Sequence, residues 1–411
     1  MVTRRNLIAA GLATGMLAAL PARAATPALP GPPPPPITPA EHAARIARVQ
    51  QLMQRAGVSA LLVESGSSLA YFTGIRWSRS ERLTAAMIPA NGDPVIVTPV
   101  FEEPSVRETL KISAEVRAWN EDESPTTRLA GALAEHKAAA GRIALEPTLR
   151  FFVIDRLRAT LGAGAELVSG EALVNLCRQI KSPAELALLG HANAITLAAL
   201  AQVHGQLRAG MSPADIAALM DAATVALGGG GSFALVLLNE ASAYPHGSHQ
   251  RQTLRDGSVV LMDCGTEVHG YESDISRTWI FGEPSARQRK VWNTVQRGQQ
   301  LALEVAKVGV PVGSIDDAVR RYYEGEGWGP AYRLPGLSHR TGHGIGMDGH
   351  ESPYLVHGDA TPLAPGMCFS DEPGLYIPGE FGIRLEDCWV MEEAGPRPFT
   401  PLSPSIDRPF G

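Results

Sequence analysis

Short apolar runs alternate with amphipathic stretches along the first 170 positions. Ser59-Ala60-Leu61-Leu62-Val63 reads as a buried strand, and residues 94–98 and 142–145 read the same way. Between and after them the spacing predicts helices near 102–110, 125–138 and 149–160. The alternation predicts an α/β unit. Thr38-Pro39-Ala40-Glu41 is a capping box with proline at the first helical position, so a helix starts there, and Gly57 ends it. A second capping box, Ser182-Pro183-Ala184-Glu185, opens a second unit with long helices near 183–206 and 213–226. Gly228 to Gly231 break the pattern. No Lys-Ser/Thr follows, so this is a turn into a strand and not a phosphate loop. Strands come next, interrupted by helices near 284–306 and 314–325.

The strands of the second unit carry the chemistry. Asp263, Asp274, His343, Glu372 and Glu386 lie in VVLMDCG, YESDISRT, HRTGHGIGMDGHESP, SDEPGLY and FGIRLEDCW. Asp263 ends an alternating apolar run, which puts it at a strand end. Asp274 follows a His269-Gly270 turn. Glycines on both sides of His343 let the backbone approach closely. Pro373-Gly374 after Glu372 marks a turn. Arg384 and Glu386 are two apart on a predicted strand and share a face. Four carboxylates and one imidazole exceed a structural zinc site. They suit two divalent cations, which can hold a hydroxide nucleophile between them, so the chain reads as a hydrolase.

In order and spacing the five residues resemble the pita-bread metallopeptidases, which include methionine aminopeptidase, aminopeptidase P, prolidase and the metal-free creatinase. The resemblance covers roughly residues 40–400. It implies an α+β protein, with a pita-bread catalytic domain after a smaller α/β creatinase-type domain. It implies that Asp263, Asp274, His343, Glu372 and Glu386 bind metal, with Asp274 and Glu386 bridging, and that Glu372 also moves the proton. His246, in Tyr-Pro-His-Gly, matches a substrate-binding position. His350 matches a group that touches the scissile peptide. His339 and Tyr376 match positions of the proline-specific branch, where a structural role is an equal alternative. Arg384 either orients a bridging carboxylate, contacts substrate or forms a routine ion pair.

All five ligands are present, unlike creatinase, and methionine aminopeptidases mostly lack such a first domain. This leaves the proline-specific branch. The reading favours an Xaa-Pro aminopeptidase, with an Xaa-Pro dipeptidase (prolidase) as the alternative. A hydrolase or lyase reaction on the same metal site, or a binding protein on this scaffold, stands further off. The donor set favours manganese, with cobalt, iron or zinc able to substitute.

Composition adds the setting. The 411 residues fit two domains, and 45% hydrophobic content supplies ordinary cores. The net charge of −6 argues against nucleic acid or an anionic membrane as partner. The expected partners are a peptide substrate and further copies of the chain, as a dimer or tetramer by family habit. Residues 1–25 read as a twin-arginine signal: Arg4-Arg5, an apolar stretch to Leu20, then Ala22-Arg23-Ala24. Export to the periplasm or medium is expected, with no membrane attachment after cleavage. Residues 26–38 form a proline-rich spacer, 39–168 the first domain and 169–411 the second. Cys177, Cys264, Cys368 and Cys388 show no CxxC spacing and read as buried thiols.

Overall fold

The computed structural model describes residues 30–410. The export segment expected over residues 1–25 lies outside them, as does the start of the spacer.

Thr38 opens the first helix as its capping box requires. Its hydroxyl accepts from the Glu41 amide at 3.2 Å, and the Glu41 carboxylate accepts from the Thr38 amide. Gly57 ends that helix in the left-handed region, at φ 64°. In this unit α1 (Pro39–Ala56), α2 (Ser67–Thr73), α3 (Glu103–Thr109), α4 (Pro125–Glu135), α5 (Phe151–Leu161) and α6 (Glu171–Arg178) surround one sheet. Its strands are β1 (Ala60–Glu64), β2 (Ala85–Pro89), β3 (Val95–Pro99), β4 (Glu115–Trp119), β5 (Arg142–Leu145) and β6 (Glu166–Ser169), in the order β4-β3-β2-β1-β5-β6. Only β2 runs antiparallel to its neighbours. Strand alternation makes two cores. Leu61 and Val63 pack with Val49, Met53 and Phe72, whereas Ala60 and Leu62 pack with Leu129, Leu133 and Leu157. Helix α6 lies past the boundary expected at residue 168. Its Leu173, Val174 and Cys177 nevertheless join the core beneath α1. The break between units therefore falls nearer 179–182.

The second unit opens at Ser182, whose capping box starts α7 (Pro183–His204). Ser212 and Ser285 do the same for α8 (Pro213–Ala226) and α9 (Ala286–Val305), and α10 spans Gly313–Gly325. By length and composition α7 could cross a membrane, yet it is a core helix, with Leu188, Leu189, Ala192 and Ile195 buried. Strands β7 (Ser232–Leu238), β8 (Ser258–Val268), β9 (Tyr271–Glu272) and β10 (Ile275–Phe281) form one antiparallel sheet, ordered β10-β8-β7 with β9 on β8. A second sheet runs β12-β11-β13-β16-β17, from β11 (Gly342–Gly344), β12 (Glu351–Leu355), β13 (Cys368–Asp371), β16 (Asp387–Glu392) and β17 (Gly395–Pro398). Between β13 and β16 the chain makes a hairpin of β14 (Gly374–Ile377) and β15 (Phe381–Arg384). Helices α7 and α8 cover the first sheet, while α9 and α10 share a core with Phe369, Leu375, Ile383 and Trp389.

The two sheets meet along β10. Thr278 Oγ1 donates to the Arg384 carbonyl at 2.7 Å, and the Glu386 amide donates to the Ser276 carbonyl at 3.0 Å. The two units are joined by a buried network. Arg45 of α1 donates to Tyr271 OH at 2.9 Å and lies 3.3 Å from the Glu185 carboxylate, with its guanidinium over the Tyr71 ring.

Candidate metal centre

Asp263 lies in the middle of β8, not at its end, opposite Ser276 of β10 and Leu235 of β7. Alternation sends its neighbours Met262 and Cys264 into the helix-covered core, which leaves Asp263 on the other face. Asp274 stands one residue before β10, after a turn in which His269 and Gly270 both have positive φ. His343 is the central residue of β11. A Cβ on Gly342 would lie 2.2 Å from the Ser370 carbonyl oxygen, and one on Gly344 would lie 2.5 Å from that of Glu351. Bare backbone at both positions is what lets β11 fit between β12 and β13. Glu372 follows β13, and its amide donates to the Thr341 carbonyl at 2.8 Å.

Arg384 and Glu386 do not share a strand. Arg384 ends β15, and Asp387 opens β16. The cause is the seam with β10, which takes the Glu386 amide, while Thr278 Oγ1 takes that of Arg384. The two side chains still converge. Ser276 Oγ donates to Glu386 Oε2 at 2.7 Å and accepts from Arg384 Nε at 2.9 Å.

The five residues expected to bind metal come together as two overlapping groups. Asp263, Asp274 and Glu386 offer oxygens all within 4.8 Å of one another, and the ring nitrogen of His343 lies equally close to oxygens of Glu372 and Glu386. Glu386 belongs to both. His343 Nε2 lies 3.5 Å from Glu372 Oε1, 3.7 Å from Asp274 Oδ2 and 4.0 Å from Glu386 Oε1. Its Nδ1 is 3.1 Å from the Gly344 carbonyl, which can only accept, so Nδ1 carries the proton and the Nε2 lone pair faces the acids. Burial holds His343 down to about pKa 3, so it is neutral.

Buried polar atoms without partners are costly. Asp263 Oδ1, Asp274 Oδ1 and Glu386 Oε1 are buried and accept no hydrogen bond. Burial first, and then repulsion from Glu386, raises Asp274 well above the carboxylate range. Burial and then Glu372 do the same to Glu386. Burial pushes Glu372 up to about 8. An oxygen-rich set with one imidazole lone pair and three orphaned acceptors fits divalent cations.

This has a measurable consequence. In chelator-treated protein, native Glu372 keeps its proton up to about pH 8, whereas the unfolded chain releases it near 4.5. The native state binds more protons over that window, so stability falls as pH rises. A cation replaces those protons and should reverse the trend. Thermal unfolding between about pH 5 and pH 8, with chelator and with manganese, tests it. Chelated protein that gains stability across that range would contradict the cluster.

The remaining expected residues ring this centre. Arg384 is buried, and its Nη2 donates to Asp263 Oδ2 at 2.6 Å. Its Nη1 donates to Tyr376 OH at 3.0 Å. His339 Nδ1 donates to the Arg340 carbonyl at 2.8 Å, so its Nε2, 2.8 Å from Tyr376 OH, accepts the tyrosine proton. Hydrogen bonds thus run in one sense from Arg384 through Tyr376 to His339. His350 is exposed and stacks on His343 with ring centroids 3.8 Å apart. His246 is also exposed, close enough to His339 and His350 to disfavour their protonation.

Three residues escaped the sequence reading. Ser276 links Arg384 to Glu386. Arg277, fully buried, donates to the Glu386 carbonyl at 2.8 Å and pairs with Asp387 at 2.7 Å. Arg277 was detectable as a charge inside the apolar run Ile275–Phe281, where it needs a partner. Arg340, beside His339, is half-buried and stacks on the Tyr354 ring at 4.2 Å.

Comparison with known proteins gives the class. Residues 187–393 match Metallopeptidase family M24, and residues 45–180 match the Creatinase/Prolidase N-terminal domain. The chain belongs to family M24 and is a hydrolase of the metallopeptidase class, with the fold that the resemblance implied. It is 33% identical to "Probable dipeptidase PepE" of Mycobacterium tuberculosis over 344 residues, 83% of this chain and 89% of that protein. The dipeptidase PepE structure from Mycobacterium ulcerans superposes with a TM-score of 0.80 at 32% identity, covering 89% and 97% of the two chains. Prolidase from Thermococcus sibiricus gives a TM-score of 0.81 at 26% identity, covering 88% and 97%. An X-Pro aminopeptidase from Thermotoga maritima gives 0.73 at 28% identity, covering 86% and 98%.

Proposed function

We propose that the chain is an Xaa-Pro dipeptidase, a prolidase, that works with two divalent cations, manganese being the best match to the donor set. The aminopeptidase reading yields to its alternative. The dipeptidase and prolidase structures above, at TM-scores of 0.80 and 0.81, are nearer in structure than the X-Pro aminopeptidase from Thermotoga maritima, at 0.73. The observation that carries the proposal is Arg340. Among the described residues no carboxylate pairs with its guanidinium, yet its charge is felt by Glu372, His343 and His350. A cation facing the centre with no acid of its own suits the free carboxylate of a dipeptide.

Cations bound at the cluster would polarise the scissile carbonyl and supply an activated water. The chain's own groups do the rest. Glu372 takes a proton and passes it to the leaving proline nitrogen, which has no hydrogen of its own. His350, exposed above His343, donates to the carbonyl oxygen as charge develops there. Arg384, held by Tyr376 and Ser276, keeps the Asp263 carboxylate in place. His339 bounds the site on the side of Tyr376, and His246 lies near His339 and His350.

The test compares Xaa-Pro dipeptide, Xaa-Pro-Yaa tripeptide and an Xaa-Ala control on manganese-loaded protein. Dipeptide-only cleavage is expected, and tripeptide cleavage at a similar rate would restore the aminopeptidase. Arg340→Met should raise KM for the dipeptide by about 10- to 100-fold, as expected for loss of a charge-assisted contact. An unchanged KM would remove Arg340 from substrate recognition.

A further inference from the structure

The first unit brings no ligand to the cluster, yet it grips the segment that carries His350. Glu351 Oε1 closes a turn by accepting from the amides of Met347 at 2.8 Å and Asp348 at 3.1 Å. Gly346 sits against that carboxylate so closely that a Cβ would lie 2.6 Å from Glu351 Oε1. Arg178, at the end of α6, reaches across with Nη2. It pairs with Glu351 Oε1 and donates to Asp348 Oδ2 at 2.9 Å. Its Nη1 donates to Ser67 Oγ at 2.9 Å, and Ser67 Oγ donates to Asp348 Oδ2 at 2.7 Å. Lys181 Nζ lies 3.3 Å from Glu351 Oε2. Arg178, Lys181 and Glu351 are all buried. Asp348 and Glu351 flank Gly349 and His350, so both ends of a short exposed stretch are tied to one buried guanidinium.

We infer that Arg178 is the positioning residue for His350: it fixes the imidazole over the metal centre through Asp348 and Glu351. The inference rests on the reading of His350 as a group that contacts substrate. A planar, forked guanidinium that holds both carboxylates through Nη2 and Ser67 through Nη1 sets an orientation, which a point charge at the same place does not. The first unit thereby acts on turnover without touching substrate.

A double-mutant cycle on the full, manganese-loaded enzyme tests this with an Xaa-Pro dipeptide. Arg178→Lys keeps the buried charge and loses the fork. It should lower kcat about tenfold or more, with metal content and KM near those of the unaltered protein. In the His350→Ala background the same change should cost less than about twofold, because the group it positions is gone. Equal losses in both backgrounds would overturn the inference and leave His350 as it is. If His350→Ala turns over normally, the reading of His350 falls and this inference with it. Should Arg178→Lys fail to fold, Ser67→Ala serves in the same cycle. It removes the bond to Asp348 and the one from Arg178 Nη1, leaves the ion pairs, and should lower kcat by about threefold only where His350 is present. A Ser67→Ala loss of equal size without His350 also overturns it.

Discussion

Glu372→Gln is expected to lower kcat by about 10³- to 10⁴-fold while the fold survives. The amide has the size of the acid, and the backbone bond from residue 372 to Thr341 remains. What is lost is a negative charge facing His343 at 3.5 Å and the oxygen that would carry the proton. Part of the loss reflects weaker metal binding, so the variant should be assayed at saturating manganese with its metal content measured. Circular dichroism should match that of the unaltered protein. A fully metallated variant with normal kcat would remove Glu372 as proton carrier and leave it at most a ligand.

The second large effect concerns stability. Arg277→Met should destabilise the second unit by about 3–5 kcal/mol, because it leaves a buried carboxylate without its cation. Arg277 and Asp387 are both almost wholly buried, at 0% and 1% side-chain exposure. Gln299 Nε2, at 3.0 Å, and Thr400 Oγ1, at 3.2 Å, also donate to Asp387, but neither supplies charge. The loss should appear as a fall in Tm of about 10 °C. Adding Asp387→Leu should recover part of it, since the orphaned charge is then gone. Arg277 also holds the Glu386 carbonyl, so the single variant should bind manganese more weakly. A loss below about 1 kcal/mol in chemical denaturation would show that the pair contributes little.

These two residues differ in how visible they are in the sequence. Glu372 announces itself, because Asp-Glu-Pro-Gly puts an acid before a turn and four other candidate ligands stand at matching spacing. Arg277 requires knowing that β10 is buried between the α7–α8 layer on one face and the other sheet on the other, which is a tertiary fact. Helix starts were legible for a local reason: Thr38 and Ser182 cap within three residues. Strands β2, β4 and β6 were less so. Ala85-Ala86-Met87-Ile88-Pro89 lacks β-branched density and takes its form from the two strands beside it. The error over Arg384 and Glu386 has the same origin. Local alternation predicts a continuous strand, and hydrogen bonds to a segment about 110 positions earlier break it. Arg178 carries no local signal, since its partners lie 170 and 173 positions away.

The origin of the five candidate ligands has a topological consequence. Asp263 and Asp274 belong to one sheet, His343 and Glu372 to the other, and Glu386 to the stretch where they meet. Chelation across that boundary would cross-link chain segments far apart in sequence, as a cystine does, and restrain the unfolded ensemble through the intervening loop. The four cysteines are all buried and free, so among the described residues no covalent bridge duplicates it. A reducing milieu would leave such a bridge intact, whereas a competing chelator would open it and leave the acids to be neutralised by protons instead.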